Sequence, residues 1–205
     1  MLIGLTGLYC AGKNHVAAIL KEHGLPVLDV DILGHTVIES QKEAVFRRFG
    51  EDLKNPDGSV NRRLLGAKVF GKAGELSALE AIVHPSANSL TEEWVAAQNG
   101  KNCVINAALL HKSSVFGRLD CIIMVCAPAI VRLIRAKKRD NLPLTVLIQR
   151  LSKQKSFPSK YLSVKADIYR VGNPGIGNVP GKKRAGAKLE RRIADILSKI
   201  ECEKT

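Results

Sequence analysis

A glycine-rich loop near the start of the chain limits the possible folds more than any other feature. The apolar segment 2–6 is typical of a buried strand, the sequence GLYCAGK follows it at positions 7–13, and apolar residues then recur at helical spacing. Glycines at both ends of such a loop let backbone amides surround a phosphate, while the helix N-terminus and the lysine add positive charge. The strand before the loop and the helix after it predict a phosphate-binding loop rather than a structural glycine turn.

The loop has one position that departs from the usual pattern of such motifs. A serine or threonine normally follows the lysine and supplies a hydroxyl ligand to Mg²⁺, but here Asn14 takes that place. An amide oxygen is a hard donor that can bind Mg²⁺ directly or through water. The residues that we predict to bind the nucleotide are Gly7, Leu8, Tyr9, Cys10, Ala11, Gly12, Lys13, Asn14 and His15.

Composition narrows the class of protein and of ligand. With 205 residues, of which 45% are hydrophobic, the chain is long enough for one domain with appendages. A net charge of +13 favours polyanionic ligands, either nucleotides or nucleic acids, although a generally basic surface gives the same charge. Aromatic residues make up only 4% of the chain, which argues against binding of single strands by base stacking.

The cysteines and the apolar runs indicate the compartment. Five cysteines, an odd number without Cys-x-x-Cys spacing, are typical of reduced thiols in a cytoplasmic protein. Cys10 is the exception, because its place in the loop could make it oxidisable. Polar and glycine positions interrupt the first apolar run, so neither a signal peptide nor a membrane span is expected. We expect a soluble, cytoplasmic protein that is a monomer or a weak homo-oligomer.

The order of the apolar runs predicts an α/β fold. A strand, a helix and a second strand at 26–31 form a β-α-β unit within the first 31 residues, which requires a parallel sheet. Further strands are predicted at 103–108, 121–126 and 167–171, and helices at 37–49, 62–70, 75–83, 86–97, 129–139, 144–154 and 185–201. This pattern divides the chain into a core at 1–31 and 100–205, with a lid at about 140–165, and a helical insertion at 32–99.

Two carboxylates follow the second predicted strand. Ligands of open α/β sheets bind at the carboxyl ends of the strands, so Asp29 and Asp31 are expected to face the same crevice as the loop. If the strand stays extended, a separation of two residues puts both side chains on one face. Such a carboxylate could accept the proton of an attacking hydroxyl or hold a metal through water. The residues alone equally allow that Asp31 caps the following helix.

Other polar residues carry weaker signals. Arg62 and Arg63, at a predicted helix start, form either a solvated face or a phosphate site. His84, which precedes a proline, is either a turn residue or a catalyst. Arg139 and the lysines of the predicted lid are either a basic helix face or cations that neutralise a transferring phosphoryl group. These lysines are Lys153, Lys155 and Lys160.

A series of short motifs runs along most of the chain. It comprises IGLTG and GK around the loop, LDVDI at 28–32, PDGSVNRRLLG at 56–66, LEAIVHP at 79–85, a leucine pair at 109–110, RD at 139–140 and AD at 166–167. Together these motifs resemble the dephospho-coenzyme A kinases, which phosphorylate the ribose 3′-hydroxyl in the last step of coenzyme A synthesis. The stretches PDG-x-x-NRR and LEAI-x-HP, in that order, are the most specific part of the resemblance.

The resemblance implies both a fold and roles for particular residues. The implied fold is that of a P-loop kinase, with three layers around a central parallel sheet, a helical acceptor-binding insertion and a lid. Lys13 and the loop amides would hold the phosphates of ATP together with Mg²⁺, and Asp31 would act as general base or orient the ribose hydroxyl. The residues Arg62, Arg63 and His84 would bind dephospho-coenzyme A, and Arg139 would close on ATP. Small molecules, rather than nucleic acid or a membrane, are the implied partners.

The chain also departs from the family pattern at several places. The family loop is close to GGIGSGKST, whereas this chain has GLYCAGKNH, and AALLHK at 107–112 replaces VPLLFE. The lid is also more basic than usual. These differences motivate a second hypothesis, a catalytically impaired nucleotide-binding or regulatory homologue. A third hypothesis, an RNA-binding protein, rests on the net charge and on the cluster Lys182-Lys183-Arg184.

Overall fold

A parallel β-sheet forms the centre of the computed structural model, which describes residues 1–154, 161, 165–175 and 182–202. Its strands are β1 (Leu2–Gly7), β2 (Val27–Asp29), β3 (Cys103–Asn106), β4 (Cys121–Cys126) and β5 (Asp167–Gly172), in the spatial order β2-β3-β1-β4-β5. Strand β1 pairs in parallel with both β3 and β4, and β4 pairs in parallel with β5. The predicted α/β fold with a parallel sheet is confirmed, and the glycine-rich loop follows the middle strand.

Helices make up most of the remaining described chain. They are α1 (Lys13–Glu22), α2 (Val30–Ser40), α3 (Lys42–Phe49), α4 (Arg62–Val69), α5 (Ala73–Ala97), α6 (Ala129–Asp140), α7 (Leu144–Ser152) and α8 (Lys182–Cys202). The chain divides into two compact units, one formed by Met1–Leu28 with Gln98–Thr205 and the other by Asp29–Ala97. Over the described ranges, none of these helices has the length and apolar character that crossing a membrane requires.

One apolar cluster joins the sheet, α1 and α8 in the first unit. Val16, Ile19 and Leu20 are buried on α1, as the helical spacing predicts, and Leu189 and Ile193 are buried on α8. Full burial of a large apolar side chain stabilises a fold by roughly 1.5–3 kcal/mol. The cluster therefore fixes β1 and α1, the two elements that flank the glycine-rich loop.

The second unit is helical and has its own core. Its largest cluster combines apolar residues of α3, α4 and the segment between them: Val45, Phe46, Phe49, Leu53, Val60, Leu65 and Val69. A smaller cluster joins α2 and α5 through Val37, Val83 and Ala87. The segment before α4 turns tightly, because the Asn55 amide donates to the Ser59 carbonyl at 2.9 Å. The start of α4, which follows this turn, is exposed to solvent.

Several element boundaries differ from the predictions. The helix expected at 37–49 is two helices, because Gln41 has φ −102° and ψ 20° and interrupts the helical conformation between α2 and α3. The two helices expected at 75–83 and 86–97 are one, α5, which continues through Pro85. Pro85 is exposed, whereas Val83 and Ala87 on either side are buried. Packing of that buried face maintains the helix despite the hydrogen bond that proline removes.

Candidate active site

The glycine-rich loop lies between β1 and α1, where the sequence predicts it. Gly7 is the last residue of β1, and a Cβ atom at this position would lie 2.8 Å from the carbonyl oxygen of Val125 on β4. Gly12 has φ +95° and immediately precedes Lys13, the first residue of α1. Close approach and positive φ both favour glycine over residues with a side chain. The two glycines therefore allow the chain to turn sharply from strand into helix.

Hydrogen bonds divide the backbone amides of the loop into two groups. The amides of Leu8 and Ala11 donate to backbone carbonyls at 3.2 and 2.9 Å, and the amide of Tyr9 donates to the Gln154 side chain at 2.7 Å. Three further amides have no protein acceptor within the described residues. They belong to Cys10, Gly12 and Asn14. Because they lie at the positive end of α1, these amides are suited to an anion such as a phosphate.

The side chains at the start of α1 differ in their exposure. Lys13 is half-buried, whereas Asn14 and His15 are exposed on the first turn of the helix. Cys10, in the loop, is half-buried, and burial raises the pKa of its thiol. A raised pKa lowers the fraction of reactive thiolate, which argues against the oxidation that the sequence suggested for Cys10. None of the five cysteines forms a disulfide in the described structure.

Arg139, near the carboxyl end of α6, lies beside the loop. Its Nε donates to Asp140 Oδ1 at 2.7 Å, and its guanidinium carbon lies 5.0 Å from the centre of the Tyr9 ring. The Tyr9 hydroxyl also donates to Asp140. The hydrogen bond from Arg139 holds the pKa of Asp140 below its usual range, while burial, followed by the bond to Asp140, raises the pKa of Tyr9. The structure thus brings Arg139 to the loop and pairs it there with a carboxylate.

Sequence reasoning missed Arg135 on α6 and Asn173 directly after β5, which contact the loop, as well as Gln154. The Arg135 and Asn173 side chains donate hydrogen bonds to backbone carbonyls of the loop. A signal for Arg135 was present, because it lies four residues before Arg139 and thus on the same face of a helix. Asn173 carried only a turn signal, since proline and glycine follow it.

The two carboxylates after the second strand are arranged differently from the prediction. Strand β2 ends at Asp29, whose Oδ1 accepts hydrogen bonds from the amides of Asp31 and Ile32, both at 3.1 Å. Asp29 is therefore the N-cap of α2, and Asp31 is an exposed residue of its first turn. The expectation of one shared strand face was wrong because the strand ends two residues earlier. The alternative of Asp31 as the cap was wrong because Asp29 occupies that position.

A cleft of about 550 Å³ lies in the second unit. It is lined by His35, Thr36, Glu39, Asn55, Ser59, Val60, Asn61, Arg62 and Arg63. Arg62 and Arg63 form the exposed start of α4, and the Asn61 side chain caps this helix by accepting a hydrogen bond from the Leu64 amide at 3.1 Å. Two cations at a helix N-terminus favour binding of an anionic group. The cleft thus brings together two of the predicted substrate-binding residues.

Other predicted residues are placed elsewhere or lie outside the described residues. His84 is a partly buried residue of α5 that does not line the cleft, and the alternative of a turn residue was wrong because α5 continues through it. Lys153 caps the carboxyl end of α7. Lys155, Lys160 and much of the predicted lid lie outside the described residues. The side chains of the cluster Lys182-Lys183-Arg184, at the start of α8, also lie outside them.

The donor groups indicate what kind of metal site is possible. Among the described residues, no group of three or more His, Cys, Asp or Glu side chains could hold a metal ion. Asn14 offers one neutral amide oxygen on the first turn of α1. Mg²⁺ commonly keeps several water ligands and binds through substrate phosphates. The residues therefore fit a Mg²⁺ ion that arrives with the nucleotide.

The central parallel sheet and the phosphate loop after its middle strand are those of the P-loop kinases. The family model for dephospho-CoA kinase matches residues 1–169. A dephospho-CoA kinase from Moorella thermoacetica is 34% identical over 201 residues, which cover 95% of this chain and 94% of that protein. The chain belongs to the dephospho-CoA kinase family.

Solved structures agree with the fold. The crystal structure of TT1252 from Thermus thermophilus matches with a TM-score of 0.76 and 29% identity, covering 97% of each chain. A dephospho-CoA kinase from Campylobacter jejuni, 19% identical, has the same fold, with a TM-score of 0.61 over 97% of this chain and 96% of that one. The predicted fold class and family are confirmed, and so is the predicted function at the level of the family: a kinase, hence a transferase, of coenzyme A biosynthesis. No finding supports the catalytically impaired homologue.

Proposed function

We propose that this chain transfers the γ-phosphoryl group of ATP to the ribose 3′-hydroxyl of dephospho-coenzyme A, and that its residues divide this work as follows. Lys13 and the available loop amides hold the triphosphate, and Arg139 neutralises charge on the transferred group. Arg62 and Arg63, with His84, bind the acceptor, and Asp31 orients its hydroxyl. The phosphate loop carries the proposal, because its amides of Cys10, Gly12 and Asn14 have no protein acceptor within the described residues.

The proposed reaction is an in-line displacement at phosphorus. The 3′-oxygen of the acceptor bonds to the γ-phosphorus, the bond from that phosphorus to the β–γ bridging oxygen breaks, and ADP leaves. Asp31 accepts the proton of the attacking hydroxyl. Catalysis of such a transfer depends on positioning and on stabilisation of negative charge. Mg²⁺, when bound, would neutralise phosphate charge, and the Asn14 amide oxygen would help to hold it.

The proposed acceptor site rests on the cleft of the second unit. Dephospho-coenzyme A carries a pyrophosphate, and Arg62 and Arg63 place two guanidinium groups at the capped start of α4. Guanidinium groups bind phosphate oxygens through paired hydrogen bonds. His84 does not line this cleft, so its proposed contact with the acceptor would lie elsewhere on the ligand. Acceptors that lack the pyrophosphate should therefore be poor substrates.

A coupled assay of ADP release tests the reaction and its acceptor. With ATP and Mg²⁺ present, dephospho-coenzyme A should support steady turnover, whereas adenosine and nucleoside monophosphates should give little above background. Equal rates with all acceptors would contradict the proposal. Tight ATP binding by calorimetry, with no turnover under any divalent metal, would instead identify an impaired homologue.

Substitution of the two neighbouring carboxylates tests the role of Asp31. Removal of a general base typically costs about 10²–10⁴ in rate, so Asp31→Asn should lower kcat by that order while ATP binding is retained. Asp29→Asn is the matched control, because asparagine also caps helices well and keeps the hydrogen bonds to the amides of Asp31 and Ile32. Full activity of Asp31→Asn, or equal loss in both variants, would remove the assigned role.

We further propose that the chain works in the cytoplasm as a monomer or weak homo-oligomer, with Mg²⁺ as the activating metal. The absence of a disulfide among its five cysteines is compatible with a reducing compartment. Light scattering across a range of concentrations measures the oligomeric state. Titration of activity with Mg²⁺, Mn²⁺ and Ca²⁺ measures the metal preference.

A further inference from the structure

The guanidinium group of Arg135 links the phosphate loop to the segment after β5. One terminal nitrogen, Nη1, donates to the carbonyls of Cys10 at 3.2 Å and Ala11 at 2.8 Å. The other, Nη2, donates to the Asn173 carbonyl at 3.1 Å, to its side-chain oxygen at 3.3 Å, and to the Gly175 carbonyl. Only the planar fork of arginine can reach both segments at once, because a lysine offers a single nitrogen.

Asn173 holds the same part of the loop from the side of the sheet. Its side-chain nitrogen donates to the Ala11 carbonyl at 3.0 Å, and only 8% of the residue is exposed. Its own amide donates to the Cys126 carbonyl at 2.8 Å, which anchors it to the end of β4. The contact is close, since a Cβ atom on Gly12 would lie 2.3 Å from the Asn173 side-chain nitrogen. The Ala11 carbonyl therefore receives two side-chain donors.

These contacts determine the direction of one loop amide. A trans peptide is planar, so its carbonyl and its N–H point in opposite directions. Because Arg135 and Asn173 hold the Ala11 carbonyl, the N–H of the same peptide, which belongs to Gly12, points away from them. Within the described residues this N–H has no protein acceptor. It is thus fixed in direction before any ligand arrives.

We propose that Arg135 is a positioning residue of the kinase reaction. By holding the carbonyls of Cys10 and Ala11, Arg135 turns the Gly12 amide toward the phosphates of the nucleotide. Asn173 holds the same Ala11 carbonyl, and we call Arg135 and Asn173 together the brace of the loop. A donor whose direction is set in advance stabilises developing charge without reorganising during the reaction. The inference rests on the proposed role of the loop in holding ATP, but not on the identity of the acceptor.

Arg135→Lys tests the proposal, because it keeps the positive charge and removes the fork. Loss of a preorganised donor to a reacting oxyanion costs about 10²–10³ in kcat, and partial misorientation should cost about 10-fold or more in kcat/KM for ATP. The KM for dephospho-coenzyme A should stay within about twofold. Lys138→Ala is the matched control, since it removes an exposed positive charge from the same helix. It should retain wild-type kinetics.

A spectroscopic readout separates positioning from a merely structural role. In wild-type protein the ¹H–¹⁵N resonance of Gly12 should move strongly when ADP binds, whereas in Arg135→Lys this shift should be much smaller at saturating nucleotide. Asn173→Ala, the second variant, should act in the same direction, and the double variant should lose less than the product of the two single losses, because both groups hold one carbonyl.

Two outcomes would overturn the proposal. One is wild-type kcat/KM for ATP in both Arg135→Lys and Asn173→Ala. The other is a loss of activity while the Gly12 resonance still shifts as in the wild type, which would mean that Arg135 acts on the nucleotide directly. Failure of the wild type itself to bind ADP would instead contradict the proposed function of the loop.

Discussion

The phosphate loop and the cleft of the helical unit are built in different ways. In the loop, backbone and side-chain acceptors hold three of the amides, Arg135 holds two of the carbonyls, and Arg139 is paired with Asp140. In the cleft, the guanidinium groups of Arg62 and Arg63 are exposed and make no hydrogen bond to the described residues. The loop is thus fixed before a ligand binds, whereas the charged side chains of the cleft are not.

This difference has consequences for binding and for catalysis. Immobilising a flexible side chain at an interface costs about 0.5–1.5 kcal/mol. With the proposed sites, an acceptor would have to order the arginines of the cleft, while a nucleotide would meet donors that are already in place. Changes in the loop should therefore lower kcat, and changes in the cleft should mainly raise the KM of the acceptor. The following predictions test this division, from the largest expected effect to the smallest.

Among the tests of this division, substitution of Lys13 should have the largest effect. The side chain stands at the start of α1 beside amides that have no protein acceptor within the described residues. Loss of one charged group that stabilises a transferring phosphoryl group costs about 10²–10³ in kcat, so Lys13→Ala should lose that much in steady-state ADP release. The Tm should change little, because Lys13 is not part of the apolar core.

Lys21→Ala is the control for this experiment, since it removes an exposed lysine from the last turn of the same helix. It should keep wild-type kcat. If Lys13→Ala raised only the KM of dephospho-coenzyme A, the division between loop and cleft would be wrong.

Arg132 differs from Arg139 on the same helix, because it is buried without a full set of hydrogen bonds to the described residues. Only 9% of the residue is exposed, and within the described part of the chain its Nε and Nη1 have no hydrogen-bond partner. Burial lowers the pKa of this guanidinium. Because an unpaired buried charge opposes folding, Arg132→Met should raise the free energy of unfolding by about 1–3 kcal/mol in urea titrations.

The matched control for Arg132 is Lys138→Met, an exposed position on the same helix, where no gain is expected. Lower stability of Arg132→Met would show that the guanidinium is in fact satisfied in solution. Loss of activity together with higher stability would show that the group is retained for a ligand.

The elements that the sequence predicted well are those specified by local patterns. Strand β4 has the predicted bounds, because an apolar run of six residues between turn signals has the length of a buried strand and is too short for a typical helix. The boundary between β2 and α2 was missed because Asp29 caps the helix and thereby starts it at Val30. Local patterns thus predict the presence of an element better than its ends.

In the candidate site, too, only the part formed by contiguous residues was predictable. The loop was predictable because strand, glycines, lysine and helix are contiguous in the sequence. The brace was not, because Arg135 and Asn173 reach Ala11 across 124 and 162 residues. Contacts at that separation depend on the strand order β1-β4-β5, which a single sequence does not specify.

Substitution in the cleft should separate acceptor binding from catalysis. Arg62→Ala removes an exposed guanidinium group that lines the cleft. A hydrogen bond to a charged group contributes about 1.5–3 kcal/mol, so the KM of dephospho-coenzyme A should rise about 10-fold or more. The KM of ATP and the Tm should stay close to wild type. Arg47→Ala, an exposed arginine outside the cleft, is the control. An equal rise in the KM of ATP would contradict separate sites.

The cluster of Tyr9, Arg139 and Asp140 makes a pH-dependent contribution to stability. Asp140 accepts hydrogen bonds from both partners, and Arg139 lowers its pKa. A carboxyl group whose pKa is lower in the folded protein stabilises the fold at pH values above its ordinary pKa of about 3.9. This stabilisation is lost as the pH falls through the lower native pKa. Asp140→Asn should therefore lower stability by about 1 kcal/mol at neutral pH. The difference from wild type should begin to shrink below about pH 4 and should keep shrinking as the pH falls toward the lower native pKa.

Thermal unfolding from pH 3 to 8 measures this difference. Asp52→Asn is a useful comparison, because its carboxylate is also paired, with Lys68 at 2.6 Å, but the side chain is 64% exposed. Exposed pairs contribute little, so this variant should show a smaller change over the same pH range. A difference for Asp140→Asn that stayed constant down to pH 3 would mean that the carboxylate charge does not stabilise the cluster.

The smallest effect concerns the backbone of the loop itself. Cys10 has φ +57°, a left-handed conformation that disfavours residues with a Cβ atom. This conformation costs a non-glycine residue roughly 1–2 kcal/mol, while glycine loses about 0.5–1 kcal/mol through the entropy of the unfolded chain. Cys10→Gly should therefore exceed Cys10→Ala in stability by about 0.5–1 kcal/mol, since alanine retains the strain and removes only the thiol.

The same pair of variants also tests whether the loop is rigid because of its brace or because of its sequence. Glycine at position 10 relieves strain but adds flexibility, whereas the bonds of Arg135 to the Cys10 and Ala11 carbonyls are independent of the side chain at this position. If the brace fixes the loop, Cys10→Gly should keep kcat within about twofold of Cys10→Ala. A drop of tenfold or more in the glycine variant would show that the restricted backbone of Cys10 is itself needed to hold the amides in place.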